Sequence, residues 1–293
     1  MKCLKPVLLT KNLDRSQFPD GLWVPCGQCM SCRIMKREEW VLRIMHEAEY
    51  WKESIFVTLT YDDEHLPGNE SLVKKDLQDF FKRLRKNSNK KLKYFANGEY
   101  GEVTARPHYH AIIFGLDFLS ETDRDYIKMS WDKCKWDTQR KAFGNVSGTS
   151  IRYVVGYIEK KITGRLKKYA YKDCEVPFHI LSNGLGKKYA KDNKERIEKD
   201  GYISIHGSKR GIPRYYSDVL GLSRIQTQEY AIENEKRFVK NLTGLDINKA
   251  ELHKVGTEIM KQSVMMKSLD DRTQRLVNMR AKQKTKYRRD IKD

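Results

Sequence analysis

The chain has 293 residues, 39% of them hydrophobic and 11% aromatic. That is enough apolar material for one large or two modest domains with a packed core, and it excludes a disordered polymer. With 58 Lys+Arg against 39 Asp+Glu, the formal net charge of +19 favours a polyanionic partner, nucleic acid or an anionic membrane surface. No apolar run approaches the ~20 residues needed to span a bilayer. The apolar stretch of "MKCLKPVLLTKNLDRSQ" is also too short for a secretory signal. The expectation is a cytoplasmic protein that faces nucleic acid rather than a membrane.

In chain order, residues 1–32 read as irregular and end in "VPCGQCMSC". From Ser31 to Trp51 the apolar residues Ile34, Val41, Ile44, Met45, Ala48 and Trp51 keep a helical period. "SIFVTLTYDD" (54–63) is β-branched and alternating, which predicts a strand. "SLVKKDLQDFFKRLRK" (71–86) predicts an amphipathic helix through Val73, Leu77, Phe80, Phe81 and Leu84. "KLKYFANGEYG" and "HYHAIIFG" predict two more strands, and residues 121–133 and 150–162 predict helices. The segment 165–224 is mixed and rich in Gly, Lys and Tyr, and from about 225 the chain turns helical and polar, ending in a basic arm. This order predicts an α+β fold, a mostly antiparallel sheet flanked by helices. Three regions are expected: a cysteine-rich segment with its helix (1–50), a central domain (51–224) and a helical basic region (225–293).

"GEYGEVTARPHYHAIIFG" (98–115) carries His108 and His110 at the mouth of a strand. Residues i and i+2 of a strand share a face, so the two imidazoles project together while Tyr109 points the other way. The pair alone reads as a surface pair or as two thirds of a metal site. Glu99 closes the preceding strand, and hairpin pairing would bring it to both rings. Two neutral imidazoles and a carboxylate leave open positions on a divalent ion, and Mn²⁺ or Mg²⁺ suits a site that must also grip a phosphate oxygen. Glu102 is the reserve ligand, since one residue of register decides which carboxylate faces inward.

Tyr153 and Tyr157, in "RYVVGYIEKK", share one helix face at spacing i,i+4. A half-buried aromatic stripe gives the same pattern. Gly156 inside the helix costs roughly 1 kcal/mol against Ala, which suggests close approach of another backbone, and Lys160 and Lys161 follow within a turn. A phenol with pKa ~10 is a poor nucleophile at neutral pH unless a metal or a lysine corrects it. Metal and tyrosines therefore explain each other.

Six cysteines occur, and Cys26, Cys29 and Cys32 form C-x2-C-x2-C with Gly27 allowing a tight turn. In a reducing compartment such a cluster reads as a metal site rather than a disulfide framework. Tetrahedral Zn²⁺ needs a fourth ligand, for which Cys3 is the first candidate and His46 the second. An iron–sulfur cluster or free thiols remain alternatives. A zinc here would be structural, fixing the N-terminal segment against the following helix.

"FVTLTY", "RPHYHAIIFG" and "YVVGYIEKK", in that order, resemble the three motifs of the HUH endonucleases, the rolling-circle replication initiators and their relatives. The two-tyrosine form is similar to that of the microvirus initiators, and "VPCGQCMSCRIMKREEWVLRIMHEAEYW" resembles the gokushovirus branch. The likeness runs from about residue 20 to "GIPRYYSDVL" near 220. It implies His108, His110 and Glu99 as metal ligands, Tyr153 and Tyr157 as nucleophiles, and Lys160 or Lys161 as the assisting lysine. Related initiators often have Lys between the tyrosines, where this chain has Gly156. The implied reaction is nicking of one strand of origin DNA through a 5′-phosphotyrosine, leaving a 3′-OH primer, followed by rejoining in the host bacterial cytoplasm.

Two other readings stand beside this one: an HUH relaxase or transposase, and a non-enzymatic zinc-containing DNA-binding protein. "GLGKKYA" does not fit the P-loop spacing, so a host helicase and a host DNA polymerase are expected partners. His65, His179, His206 and His253 lack metal-like spacing and read as surface or satisfied histidines. Thr58 and Thr60 are expected to line the strand beside the H-x-H strand. Trp131, Trp136 and the tyrosines of 169–189 interleave with lysines, a texture that suits stacking on single-stranded bases as well as an ordinary core.

Overall fold

The computed structural model describes residues 3, 5–12, 15–16, 19–101, 104–138, 142–160, 171, 173–205 and 207–243. The chain divides into two compact units, one of Arg43–Leu185 and one combining residues up to Leu42 with residues from Gly186 onward. The predicted 225–293 region lies outside the described residues beyond 243.

The unit Arg43–Leu185 is built on five strands: β3 (Ser54–Thr60), β4 (Lys93–Tyr100), β5 (Pro107–Phe114), β6 (Phe143–Asn145) and β7 (Phe178–Leu181). They lie in the order β6-β3-β5-β4-β7, and every pair is antiparallel. Alternation assigns the two faces. Ile55, Val57 and Leu59 of β3 and Tyr109, Ala111 and Ile113 of β5 are fully buried and share one core. Leu77, Phe80, Phe81 and Leu84 of α2 (Lys74–Ser88), spaced i, i+3, i+4, i+7, close over that core together with Ile127 of α3 (Glu121–Ser130). Each such side chain contributes about 1.5–3 kcal/mol on burial, against at most ~1 kcal/mol for an exposed ion pair such as Lys128–Asp125. The apolar layer therefore dominates.

The helix ends are set locally. The Ser120 hydroxyl accepts from the Asp123 N–H at 3.2 Å and caps α3, while α2 ends at Asn89, whose φ of 48° is left-handed. The helix predicted over 121–133 stops at Ser130 because Trp131 turns extended and buries fully. That burial corrects the stacking reading: Trp131 is a core residue donating Nε1–H to the Thr60 carbonyl at 2.7 Å. Trp136 likewise stacks on Phe143, Tyr171 on Tyr100, and Tyr189 is buried.

On the opposite sheet face, α4 (Gly148–Lys160) packs against β4 and β5. The other unit contains the ribbon β1 (Val7–Leu9) with β2 (Leu22–Val24), where the sequence predicted irregular chain. It continues with α5 (Lys187–Asp192), α6 (Lys194–Asp200), the ribbon β8 (Ile203–Ile205) with β9 (Ser208–Arg210), α7 (Arg214–Leu220) and α8 (Arg224–Thr243). The helix α1 (Met30–Ala48) begins in this unit and ends in the other. Among the described residues, no helix is long and apolar enough to cross a membrane.

Tyr109 is the residue that fixes β5 against α2. Its hydroxyl accepts from the Val73 N–H at 2.9 Å, just ahead of α2, and lies 2.7 Å from the Tyr61 hydroxyl, which donates to Asp76 at 2.8 Å. Gly98, opposite Tyr109, makes room for the ring: a Cβ there would lie 3.0 Å from both the ring and Leu72. Tyr109→Phe leaves a buried N–H without its acceptor and should cost about 1–3 kcal/mol in urea denaturation, with the far-UV spectrum unchanged.

Candidate metal and nucleophile site

The register of the sheet assembles the site. Glu99 of β4 pairs with His108 of β5 and His108 with Thr60 of β3; one step along, Asn97 pairs with His110 and His110 with Thr58. All six side chains thus share the face that carries α4. Glu99 Oε1 lies 2.8 Å from His108 Nε2 and 2.9 Å from His110 Nε2, and one ligand atom from each of the three falls within 4.8 Å of the others. Glu99 and His110 are buried. Glu102, the reserve ligand, lies outside the described residues.

The far ring nitrogens are occupied. His108 Nδ1 is 3.1 Å from the Arg106 carbonyl, and His110 Nδ1 is 3.0 Å from the Thr58 hydroxyl. Such outer contacts fix ring orientation and leave both Nε2 atoms pointing at Glu99. Burial works against charge on all three groups, but the outcomes differ. Hydrogen bonds from both histidines outweigh burial and hold Glu99 below its ordinary value. Its carboxylate in turn lifts His108 above the usual imidazole range. Burial prevails at His110 and lowers it. A charged His108 then donates from both nitrogens, to Glu99 and to the Arg106 carbonyl, while neutral His110 donates to Glu99 and accepts from Thr58.

The two tyrosines of α4 stand against this cluster. The Tyr153 hydroxyl is 3.4 Å from His110 Nε2, with ring centroids 5.1 Å apart. Tyr157 stacks on His110 at 5.5 Å, and the two tyrosine rings are 5.3 Å apart. Tyr153 is 49% exposed and Tyr157 is half-buried. Burial and the Glu99 charge push the Tyr157 phenol well above its ordinary value. The close backbone contact expected at Gly156 is absent among the described residues: a Cβ there would meet nothing within 4 Å. Lys161 and the side chain of Lys160 lie outside the described residues, as do His206 and His253.

Four thiols converge elsewhere, at the start of α1. Cys3, Cys26, Cys29 and Cys32 bring their sulfurs within 4.8 Å of one another, so Cys3 and not His46 completes the set. The Cys3–Cys29 and Cys26–Cys32 sulfurs are 3.8 and 4.0 Å apart. A tetrahedral ion with metal–sulfur bonds of ~2.3 Å requires edges of about 3.8 Å. Gly27, at φ +71°, makes the turn, and the N–H groups of Cys26 and Cys29 donate to the sulfurs of Cys3 and Cys26. Burial raises the Cys26 thiol, but N–H groups of Cys29 and Gln28 outweigh it and bring it to about 6, whereas burial drives Cys32 up. A third group, Asp62, Glu64 and His65, sits in an exposed loop where His65 Nδ1 is already engaged by Asp62 at 2.7 Å.

Sequence reasoning missed Thr58 as the residue that orients His110, and it missed Asn97 altogether. The only signal for either was strand parity relative to His110.

With a chelator present, the Glu99–His108 pair should show in the pH dependence of stability. The lowered Glu99 contributes above its ordinary value of 4.5 and loses that contribution as pH falls through its folded value. The raised His108 contributes below its ordinary value of 6.5 and loses it as pH rises through its folded value. Glu99→Gln should therefore destabilise most between these two values, by about 1–3 kcal/mol, with the difference shrinking at alkaline pH in denaturation curves.

The comparisons with known proteins agree with this geometry. The profile of a family described as the replication-associated protein ORF2 family matches residues 54–162, which span β3 to α4. The chain is 33% identical to replication-associated protein VP4 of Bdellovibrio phage phiMH2K over 66% of each chain. It is 31% identical to replication-associated protein ORF2 of Spiroplasma virus 4 over 85% of this chain and 79% of that one. It is 28% identical to replication-associated protein ORF4 of Chlamydia phage 1 over 75% of this chain and 59% of that one. No solved structure matches the chain. On this likeness the chain belongs to the ORF2 family of phage replication-associated proteins.

Proposed function

We propose that the protein initiates rolling-circle replication by nicking one strand of origin DNA, with Tyr153 and Tyr157 as nucleophiles beside a divalent ion, Mn²⁺ or Mg²⁺, held by Glu99, His108 and His110. The observation that carries this reading is the Tyr153 hydroxyl at 3.4 Å from His110 Nε2, the nitrogen that also meets Glu99 at 2.9 Å. The residues fit such an ion. They offer one carboxylate and two imidazoles oriented from behind, and buried Asn97 and Thr60 keep unpartnered polar atoms on the same face. When bound, the ion supplies positive charge to the scissile phosphate and to the developing phenolate.

The Tyr153 oxygen attacks phosphorus and the bond from phosphorus to the 3′ oxygen breaks. The products are a 5′-phosphotyrosine and a 3′ oxygen that takes up the proton the phenol gives up. Tyr153 acts first because it is half exposed, whereas Tyr157 is packed on His110 with its phenol held neutral. Tyr157 attacks the regenerated junction in the second step, and the earlier 3′-OH then closes the displaced strand. Each step exchanges one phosphoester for another, so joining needs no nucleotide. Lys160 or Lys161 supplies further positive charge to the phosphate, and open space at Gly156 lets a DNA backbone come close to the helix. Host helicase and host polymerase complete the reaction in the bacterial cytoplasm.

Single strands tiling the cognate phage genome, labelled and incubated with Mn²⁺, should give a covalent protein–DNA band on a denaturing gel. Tyr153→Phe should remove most of it, and the double Tyr153→Phe/Tyr157→Phe variant and His108→Ala should remove all. The absence of any band in wild type would sink the endonuclease reading and favour a non-enzymatic DNA-binding protein. A band that needs Tyr153 alone through a full cycle would favour a relaxase or transposase.

The cysteine cluster holds a structural Zn²⁺, a reading supported by its sulfur spacing. Elemental analysis should find about one zinc per chain in wild type. Cys26→Ser should lose it and melt at lower temperature; iron with visible absorbance would instead mean an iron–sulfur cluster.

A further inference from the structure

The polar groups on the α4 face of the sheet can be accounted for one by one. Glu99 meets both histidines, Thr58 holds His110, and the Arg106 carbonyl holds His108. Asn97 remains. It is 3% exposed, and both its Oδ1 and its Nδ2 are buried without a hydrogen-bond partner. Its register partner on β5 is His110 and on β7 is His179, so it stands beside a site histidine on the same face. Facing side chains in an antiparallel pair have Cβ atoms roughly 4.5–5.5 Å apart, within reach of one intervening water. Thr60, beside His108, has the only other unpartnered polar atom on this face among the described residues.

A buried amide with neither atom paired is costly, and an apolar side chain of the same size would remove that cost. His179 stacks on Phe95 at 5.8 Å, so an apolar neighbourhood for residue 97 already exists on one side. An amide at this position instead offers an acceptor and a donor to something that enters the site.

We propose that Asn97 is a positioning residue of the divalent-ion site, hydrogen-bonding the hydration shell of the ion beside His110. This rests on the reading that Glu99, His108 and His110 hold such an ion. Its role is to select a hydrated, octahedral ion and fix where exchangeable positions point, not to ligate or to attack.

The test uses the full chain, with Mn²⁺ binding followed by electron paramagnetic resonance and melting temperature measured in chelator. Asn97→Leu should melt at or above wild type without metal, yet bind Mn²⁺ at least about tenfold more weakly. Asn97→Asp keeps the acceptor and adds charge, and should bind Mn²⁺ at least as tightly as wild type. A purely structural asparagine would give the opposite pattern, with Asn97→Leu lowering the melting temperature and leaving Mn²⁺ affinity unchanged. Should Asn97→Leu fail to fold, Asn97→Asp binding Mn²⁺ more weakly than wild type overturns the proposal. Wild type that takes up no Mn²⁺ overturns the ion site itself, whereas normal wild-type binding with an unaffected Asn97→Leu overturns only the role given to Asn97.

Discussion

The antiparallel pairing of β4 with β5 sets Glu99 opposite His108 and Asn97 opposite His110, and most of what the molecule can do follows from that register. Side-chain direction in a strand has a period of two, so a slip of one residue would turn both histidines into the apolar core and Tyr109 out of it. The slip is blocked from the core side. Tyr109 is fully buried and tied to the entry of α2, and Gly98 leaves the space its ring fills. β5 is also the central strand, bonded to β3 on its other edge, so changing its register would break two ladders at once. Hydrophobic burial on one face thereby determines polar chemistry on the other.

That coupling explains what was legible in the sequence. The three central strands and α2, α3 and α4 could be read from periodicity, because each buries one regular face. The convergence of Glu99 with the histidines could be read too, since a short connection between two strands implies a hairpin. The short strands β1, β2, β6, β7, β8 and β9 could not, because three or four residues carry too little alternation. Nor could Asn97 and Thr58, whose significance lies in which residue they face across the sheet. Trp131 was ambiguous for a related reason: interleaved aromatics and lysines look alike whether the ring points inward or outward, and only the packing decides.

The two clusters differ in the kind of ion they suit. Glu99, His108 and His110 offer oxygen and nitrogen donors with room for further ligands, a set suited to a borderline-to-hard ion that exchanges ligands. Four sulfurs at tetrahedral spacing leave no open position and suit a soft, permanently held ion. One chain thus separates an exchange-competent site from a closed one by donor chemistry alone, without any need to tell the two ions apart by affinity.

The inclusion of Cys3 in the sulfur cluster also bears on the unfolded chain. Joining residue 3 to residues 26–32 through one ion closes a loop that includes the β1–β2 ribbon. By analogy with a covalent cross-link, a loop of that length removes conformational entropy worth roughly 3–4 kcal/mol from the unfolded ensemble. A three-residue strand pair such as β1–β2 is marginal by itself in water. Its persistence would then depend less on its own contacts than on the ring of chain that closes around it.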